Sequence, residues 1–290
     1  MTVPHTTSFD STVLVLGATG TVGSALCRAL QEQGQRVRAA TRQPRPIPPT
    51  SVEDVYFDLE RAETFEAALQ NVDRVFMIAR PGDDNPDRLA LPFIQAVQRH
   101  PIKHLVHLGA MGIDTLPDHP LRRVELAIEQ AGIPYTFLRP NFFFQIFSTP
   151  PLQLGIKKAR RIAVPAGVAQ LSFIDARDIA AVAATLLSTS KHLGEAFTLT
   201  GNSAIDHAQV ASAIGEALGE PVHYEALDEA SAYQGIVASG LSEARAQRLL
   251  GFYRLVRAGF CAPVSDAVER ILGRPAIEIE RFAQDHVEAW

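Results

Sequence analysis

Three glycines, Gly17, Gly20 and Gly23, recur at every third position in the segment GATGTVG. The apolar residues 13–16 before them indicate a buried strand, and the helically spaced apolar residues among 22–30 indicate a helix. In such a unit the first glycine allows the tight turn, the second lets a phosphate approach the backbone, and the third lets the helix pack against the strand. Because the first amides of a helix attract anions, the spacing predicts a dinucleotide site rather than a purely structural turn.

The residue that ends the second predicted strand discriminates between the two nicotinamide dinucleotides. An acidic side chain there would bind the ribose 2′-hydroxyl, whereas an arginine accommodates a 2′-phosphate. The strand ends with Thr41 and Arg42, and no acid follows before Glu53. We therefore predict NADP(H), with Arg42 as the main contact and Arg45 or Arg38 as helpers, and keep NAD(H) as the alternative. In the competing interpretation, Arg42 is a solvated loop charge.

Asp58 follows the third predicted strand. Its carboxylate could accept a hydrogen bond from the adenine amino group, which predicts an adenine contact. A carboxylate in this place could equally cap a helix that starts near Arg61. Both interpretations stay open.

The proton-donating pair of ordinary short-chain dehydrogenases, a tyrosine followed four residues later by a lysine, is absent. None of the five tyrosines has a lysine at that spacing. Gly109, Ala110 and Met111 occupy the end of the fifth predicted strand, where those enzymes carry a serine. General acid catalysis needs a group of suitable pKa within reach of the reacting oxygen, so carbonyl reduction by that triad is excluded.

Other function classes find little support in the composition. The net charge is −5, and the densest basic run, Lys157, Lys158, Arg160 and Arg161, is more typical of a solvated turn, which argues against a nucleic-acid partner. No apolar run is long enough to span a membrane, the start does not resemble a signal peptide, and two cysteines make no disulfide framework. His100, His104 and His107 lack a companion cysteine or acid, so we predict no metal site. We expect a cytoplasmic protein and leave a homodimer open.

Short apolar runs alternate with helical patterns along the first half of the chain. Strands are predicted at 36–41, 54–57, 73–79, 103–109 and 134–138, and helices at about 61–70, 86–99 and 120–131. This alternation predicts an α/β fold, a Rossmann doubly wound parallel sheet with a smaller, mainly helical C-terminal lobe. The predicted division is a disordered tail (1–10), a dinucleotide-binding domain (11–150, with about 170–200 returning to it) and a smaller lobe over the substrate (151–290).

Five segments, GATGTVG, FDLERAETFEAAL, AGIPYTFLRPNFF, FIDARDIAAVAA and SDAVERILGRPAIEIERFAQDH, resemble the NmrA-like family of atypical short-chain dehydrogenases. The resemblance implies that Pro140, Asn141 and Phe142 line the nicotinamide, and that Ile78, Ala79 and Arg80 lie along the cofactor ribose and diphosphate. The residues predicted to contact the cofactor are Gly17, Thr19, Gly20, Thr21, Val22, Gly23, Thr41, Arg42, Asp58, Leu59, Ile78, Ala79, Arg80, Gly109, Ala110, Pro140, Asn141 and Phe142.

The chain departs from this family where many members carry a histidine or lysine, since Leu121 stands at that position. His119 lies two residues earlier and is the candidate proton donor. The alternative is a histidine at the start of a helix, because Pro120 follows it.

Four phenylalanines, 142, 143, 144 and 147, follow the sixth predicted strand. Phe143, Phe144, Phe147, Met111 and Tyr253 are predicted to form an apolar substrate wall, although phenylalanine clusters are equally often core. A flat, apolar acceptor that delocalises charge needs no strong acid, which predicts an NAD(P)H-dependent reductase of quinones, enones, iminium ions or heteroaromatic intermediates. The alternatives are a redox-sensing regulator that acts through a protein partner and, less favoured, an epimerase or isomerase with a tightly held cofactor.

Overall fold

The computed structural model describes residues 11–45, 52–80, 83 and 85–290. The predicted disordered tail, residues 1–10, lies outside this part. The strands found in these ranges are β1 (Thr12–Val15), β2 (Arg36–Thr41), β3 (Val52–Tyr56), β4 (Arg74–Ile78), β5 (His104–Leu108), β6 (Tyr135–Pro140), β7 (Arg161–Val164), β8 (Glu195–Leu199) and β9 (His223–Ala226). The α-helices are α1 (Thr21–Glu32), α2 (Phe65–Leu69), α3 (Pro86–Gln98), α4 (Pro120–Gln130), α5 (Leu152–Ala159), α6 (Ala176–Leu187), α7 (His207–Leu218), α8 (Glu229–Ala238), α9 (Glu243–Arg257), α10 (Ala267–Leu272) and α11 (Ile279–Asp285).

The main sheet contains seven of these strands in the order β3-β2-β1-β4-β5-β6-β8. Neighbouring strands from β3 to β6 run parallel, and Val13 of β1 lies opposite Val37 and Arg74. Parallel strands are joined by crossovers that cover both faces of the sheet, and all five residues of β5 are accordingly buried. The predicted fold class, a Rossmann sheet with a helical C-terminal part, is confirmed.

The predicted element bounds agree with the structure to within two residues for the five strands. The predicted helix at 61–70 differs, because a 3-10 turn at Ala62–Thr64 precedes the short helix α2. The Thr64 hydroxyl donates to the Arg61 carbonyl over 2.7 Å. Such a local side-chain bond competes with the regular helical ladder.

The chain divides into two compact units. Unit 1 ends at Arg139 and regains Ile179–Phe197, and unit 2 comprises Pro140–Asp178 and Thr198–Trp290. Residues 140–150, which the sequence assigned to the first domain, therefore belong to unit 2. The reason is that Phe144 and Phe147 pack into the core of unit 2.

The core of unit 1 joins side chains of the sheet strands to those of α2, α3 and α4. Phe57, Phe65 and Phe93 have ring centroids 5.2–5.5 Å apart, a separation at which aromatic rings attract one another. Phe93 and Leu14 are fully buried in the same cluster. This core holds the strands whose carboxyl ends carry the predicted cofactor residues.

Unit 2 has its own core around a second aromatic cluster. Phe173 lies 5.7 Å from Phe144 and 5.5 Å from Phe147, measured between ring centroids, and Phe282 lies 5.4 Å from Phe144. Strands β7 and β9 pair in parallel beside this cluster. No helix in the described ranges combines the length and the apolar character that a membrane crossing requires.

Candidate functional site

The glycine turn after β1 has the geometry that its spacing predicts. Gly17 adopts a left-handed φ of +66°, which favours glycine, and its carbonyl accepts the Gly20 amide over 2.9 Å. A Cβ added at Gly23 would lie 2.1 Å from the Gly17 carbonyl oxygen. Only a glycine at position 23 therefore lets α1 start this close to the turn.

The N-terminus of α1 has no side-chain cap. The N-cap residue is Gly20, and the first turn contains no acidic residue. The opening amides of a helix have no partner within it, and together with the helix dipole they attract anions. This twelve-residue helix thus offers backbone donors where the cofactor diphosphate would bind, near the predicted contacts Thr19, Thr21 and Val22.

Two of the candidate arginines at β2, Arg38 and Arg42, differ in their contacts. Arg38 donates to the carbonyls of Ala67, Ala68 and Gln70 over 3.0, 3.3 and 2.6 Å, so its guanidinium is committed to the end of α2. It does not help at the end of β2, contrary to the expectation. Arg42 is exposed and has no hydrogen-bond or ion-pair partner among the described residues, which leaves its charge available.

Asp58 makes local contacts in the turn that follows β3. One carboxylate oxygen accepts the Glu60 amide over 3.1 Å, and the Asp58 amide donates to the Thr64 hydroxyl over 3.2 Å. The carboxylate does not cap a helix near Arg61, because the 3-10 turn at Ala62–Thr64 has Arg61 as its N-cap and no side-chain cap. Adenine contacts of Asp58 and of the neighbouring Leu59 stay predictions.

The end of β4 lies directly beside the glycine turn. A Cβ built on Gly17 would meet a methyl group of Ile78 at 2.9 Å. Two residues on, the Arg80 guanidinium forms an ion pair of 2.6 Å with Glu60, so it joins the loop after β4 to the loop after β3. Ile78, Ala79 and Arg80 are thereby placed at the carboxyl edge of the sheet, as a cofactor contact requires.

The end of β5 is held by a buried ionic cluster that the sequence did not predict. Glu125 of α4 is fully buried and accepts two hydrogen bonds from Arg139, of 3.0 and 2.9 Å, and one of 2.7 Å from Arg122. A Cβ on Gly109 would lie 3.3 Å from the Glu125 carboxylate. A side chain at position 109 would require this carboxylate to shift, and the cluster packs against the strand end that carries Ala110 and Met111. The only sequence signal was an acid among arginines on a predicted helix.

His119 caps α4. Its Nδ1 atom accepts the Leu121 amide over 3.2 Å, so the ring carries its proton on Nε2. Burial and the nearby Arg123 cation lower the pKa of His119, which keeps the imidazole neutral at neutral pH. A neutral imidazole is a weak acid, so these contacts favour the helix-start interpretation, and proton donation stays a prediction.

Asn141 has its polar atoms engaged within unit 2. Its side-chain amide donates to the Ser172 hydroxyl and to the Cys261 carbonyl, both over 2.8 Å, and its side-chain oxygen accepts the Phe142 amide over 2.9 Å. The side chain is therefore structural. Nicotinamide contacts of Pro140, Asn141 and Phe142 stay predictions.

Two of the predicted wall residues are core residues. Phe144 is 3 % exposed and Phe147 is fully buried, so neither ring has surface for a substrate. Burial raises the pKa of Tyr253, which packs against the same cluster. Phe143 is partly exposed and stays a predicted substrate contact, as does Met111.

The three histidines near β5 make separate contacts. His100 lies 3.0 Å from Glu66, His104 lies 2.8 Å from the Thr136 hydroxyl, and His107 lies 3.2 Å from the Met77 carbonyl. In the described ranges, no group of three histidine, cysteine or acidic side chains is arranged to hold a metal ion.

Residues 9–258 match the model of the NmrA-like family. The chain belongs to the NmrA-like family. It is 32 % identical over 287 residues to the NAD(P)H azoreductase of Xenophilus azovorans, which covers 96 % of this chain and 99 % of the relative. It is 30 % identical over 287 residues to the (4-alkanoyl-5-oxo-2,5-dihydrofuran-3-yl)methyl phosphate reductase of Streptomyces griseus, covering 96 % and 99 % of the two chains. The Citrobacter sp. triphenylmethane reductase complexed with NADP(H) has the same fold, with a TM-score of 0.81, 21 % identity, and coverage of 96 % and 99 %.

Proposed function

We propose that this protein is an NAD(P)H-dependent reductase that transfers hydride to conjugated or aromatic acceptors and prefers NADP(H). The observation that carries the proposal is the uncapped start of α1 against the Gly17 turn, which suits a dinucleotide diphosphate. The relationship to an NAD(P)H azoreductase over nearly the whole chain supports the reaction class.

The residues of unit 1 have distinct tasks in this function. The amides of the first turn of α1 would hold the diphosphate. Arg42, which has no ion-pair partner among the described residues, would bind the 2′-phosphate. Buried Glu125, through Arg139, keeps the ends of β5 and β6 in place behind the site. When bound, the reduced cofactor supplies the hydride, and the protein contributes position and electrostatics.

The acceptor class follows from the proton donors that the chain lacks. A simple ketone needs an acid to neutralise the oxygen as charge develops, and neither the tyrosine–lysine pair nor a charged His119 provides one. An azo compound, quinone, enone or iminium ion delocalises the transferred electrons or already carries a positive charge. We therefore propose this class of substrate, with a cytoplasmic location and a homodimer as predictions that accompany it.

The test is a titration of the purified chain with NADPH and NADH, followed by the nicotinamide absorbance after addition of one acceptor at a time. The panel contains a quinone, an azo dye, an enone and, as control, a simple ketone. We expect tighter binding of NADPH and oxidation by at least one conjugated acceptor but not by the ketone. Binding of NADP⁺ without turnover on any acceptor would contradict a reductase and indicate the redox-sensing regulator.

A further inference from the structure

A cavity of about 690 Å³ lies in unit 1 between α1 and strands β2 and β3. Side chains of both strands, including Ala39 and Asp54, line this cavity beside Cys27 and Arg28 of α1.

The cavity reaches the predicted cofactor site. Its lining includes Thr19 of the glycine turn and Thr41 at the end of β2. The adenosine ribose of a dinucleotide is recognised at the end of the second strand of this fold, so a group on its 2′-oxygen would point toward these residues.

Among the described residues that line this cavity, basic side chains outnumber acidic ones. Arg28 and Arg45 line it, and Arg42 follows Thr41 directly. Neither Arg28 nor Arg42 has an ion-pair partner in the part of the chain that the structure describes. The sequence of residues 46–51, PIPPTS, contains no acid that could supply one. Asp54 is the acidic residue among the described residues that line the cavity.

Asp54 binds one residue three times. Its carboxylate accepts the Arg45 backbone amide over 2.9 Å, the Arg45 Nε over 2.9 Å and the Arg45 Nη2 over 3.0 Å. The side chain of Asp54 is only 7 % exposed, and the Arg45 hydrogen bonds lower the pKa of its carboxyl group. An acid so occupied is poorly placed to bind a ribose 2′-hydroxyl, the task that an acid performs in an NAD(H) site.

The Arg45 guanidinium still has donors to offer. Asp54 takes the edge formed by Nε and Nη2, and the Nη1 hydrogens have no partner among the described residues. A guanidinium held by a carboxylate on one edge is pre-oriented for an anion on the other, so less side-chain entropy is lost on binding.

We propose that Asp54 is a positioning residue that fixes Arg45 at this cavity, so that Arg45, Arg42 and Arg28 together bind the 2′-phosphate of NADP(H). The inference rests on the proposed use of NADP(H). In this proposal, cofactor preference depends on a residue of β3 as well as on the end of β2.

The test measures affinity by calorimetry for two fragments, adenosine 2′,5′-bisphosphate and 5′-AMP, with the full chain. Charge-assisted hydrogen bonds contribute enough that Asp54→Asn and Arg45→Gln should each weaken binding of the bisphosphate about tenfold or more. Binding of 5′-AMP should not change. The double variant should bind the bisphosphate no more weakly than Arg45→Gln alone, because Asp54 acts through Arg45.

Glu53→Gln is the matched control, since Glu53 is the preceding residue of β3 and pairs with Arg38 instead. It should leave the preference for the bisphosphate unchanged. Because Arg45 is exposed, its variant remains informative even if Asp54→Asn does not fold.

Three outcomes would overturn the proposal. Tighter binding of the bisphosphate by Asp54→Asn would mean that the carboxylate only repels the phosphate. Equal weakening of both fragments would mean a general structural defect, and no change would mean no role. A wild-type chain without preference for the bisphosphate would overturn the NADP(H) preference itself, and acceptor turnover tests the reductase separately.

Discussion

The N-termini of two helices of equal length, α1 in unit 1 and α7 in unit 2, are built in opposite ways. Asp206 caps α7 by accepting the Gln209 amide over 2.8 Å, and the Gln209 side chain accepts the Asp206 amide in return. Gly20 at the start of α1 offers no side chain. A capping box satisfies the orphan amides within the protein, whereas a bare start leaves them for a ligand. The contrast separates groups that stabilise the fold from groups reserved for function.

Acid should affect both units, because each buries neutral histidines. Burial lowers the pKa to about 4 for His104 and His107 of unit 1 and for His207 of unit 2. In the unfolded chain these histidines bind protons below about pH 6.5, whereas in the folded chain they stay neutral down to about pH 4. Their contribution to the free energy of unfolding is therefore complete at pH 7 and is lost as the pH falls from 6.5 toward 4. At pH 5 each of these histidines should lower the free energy of unfolding by about 2 kcal/mol relative to pH 7.

Urea unfolding at pH 7 and pH 5 measures this loss. His207→Phe, placed in the aromatic cluster of unit 2, should remove about one third of it. Equal stability at the two pH values would contradict the assignment of neutral histidines.

Glu125→Gln should destabilise unit 1 by about 3–5 kcal/mol, because it leaves two arginines facing an uncharged group at a buried site. Glu66→Gln is the control, since Glu66 pairs with Arg99 on the surface and should change stability by less than about 1 kcal/mol. Chemical unfolding of both variants decides the matter. Similar effects of the two substitutions would show that burial of the Glu125 cluster does not matter for stability.

Gly20→Asp would give α1 the kind of start that α7 has. A carboxylate there should accept an amide of the first turn and repel the cofactor diphosphate, and we expect NADPH affinity to fall at least about tenfold. The comparison variant is Gly20→Ala, which adds the Cβ without the charge. Fluorescence titration with NADPH separates the two, and equal affinity would argue against binding of the diphosphate at this helix start.

Asp206→Ala should have the smallest effect, a loss of about 1 kcal/mol in unfolding free energy through the missing cap on α7. NADPH affinity should stay as in the unchanged chain. Ser212→Ala, on the exposed face of the same helix, serves as control and should change stability by less than about 0.5 kcal/mol. A drop in NADPH affinity for Asp206→Ala but not for Ser212→Ala would contradict the view that the cap on α7 serves only the stability of the fold.

The part of the site nearest the glycine turn was predictable because it depends on neighbours in the chain. Gly17 and Gly23 are six residues apart, and their spacing already implies the close approach that the structure has. Arg42 follows a strand whose bounds were predicted residue for residue. The apolar character of the phenylalanine segment could be predicted, but a run of aromatic residues does not reveal which rings face a core. Phe144 and Phe147 turned inward because Phe173 and Phe282 complete an aromatic cluster there.

The sequence by itself determined the alternation of strands and helices, the glycine turn, the basic end of β2 and the absence of a tyrosine–lysine pair. These features depend on residues that are close in the chain, where apolar periodicity and backbone sterics act. Only the tertiary structure decided that Glu125 meets Arg139 and that Asp54 binds Arg45. Those contacts depend on which face each side chain takes and on what another element brings to it, and no local pattern encodes that.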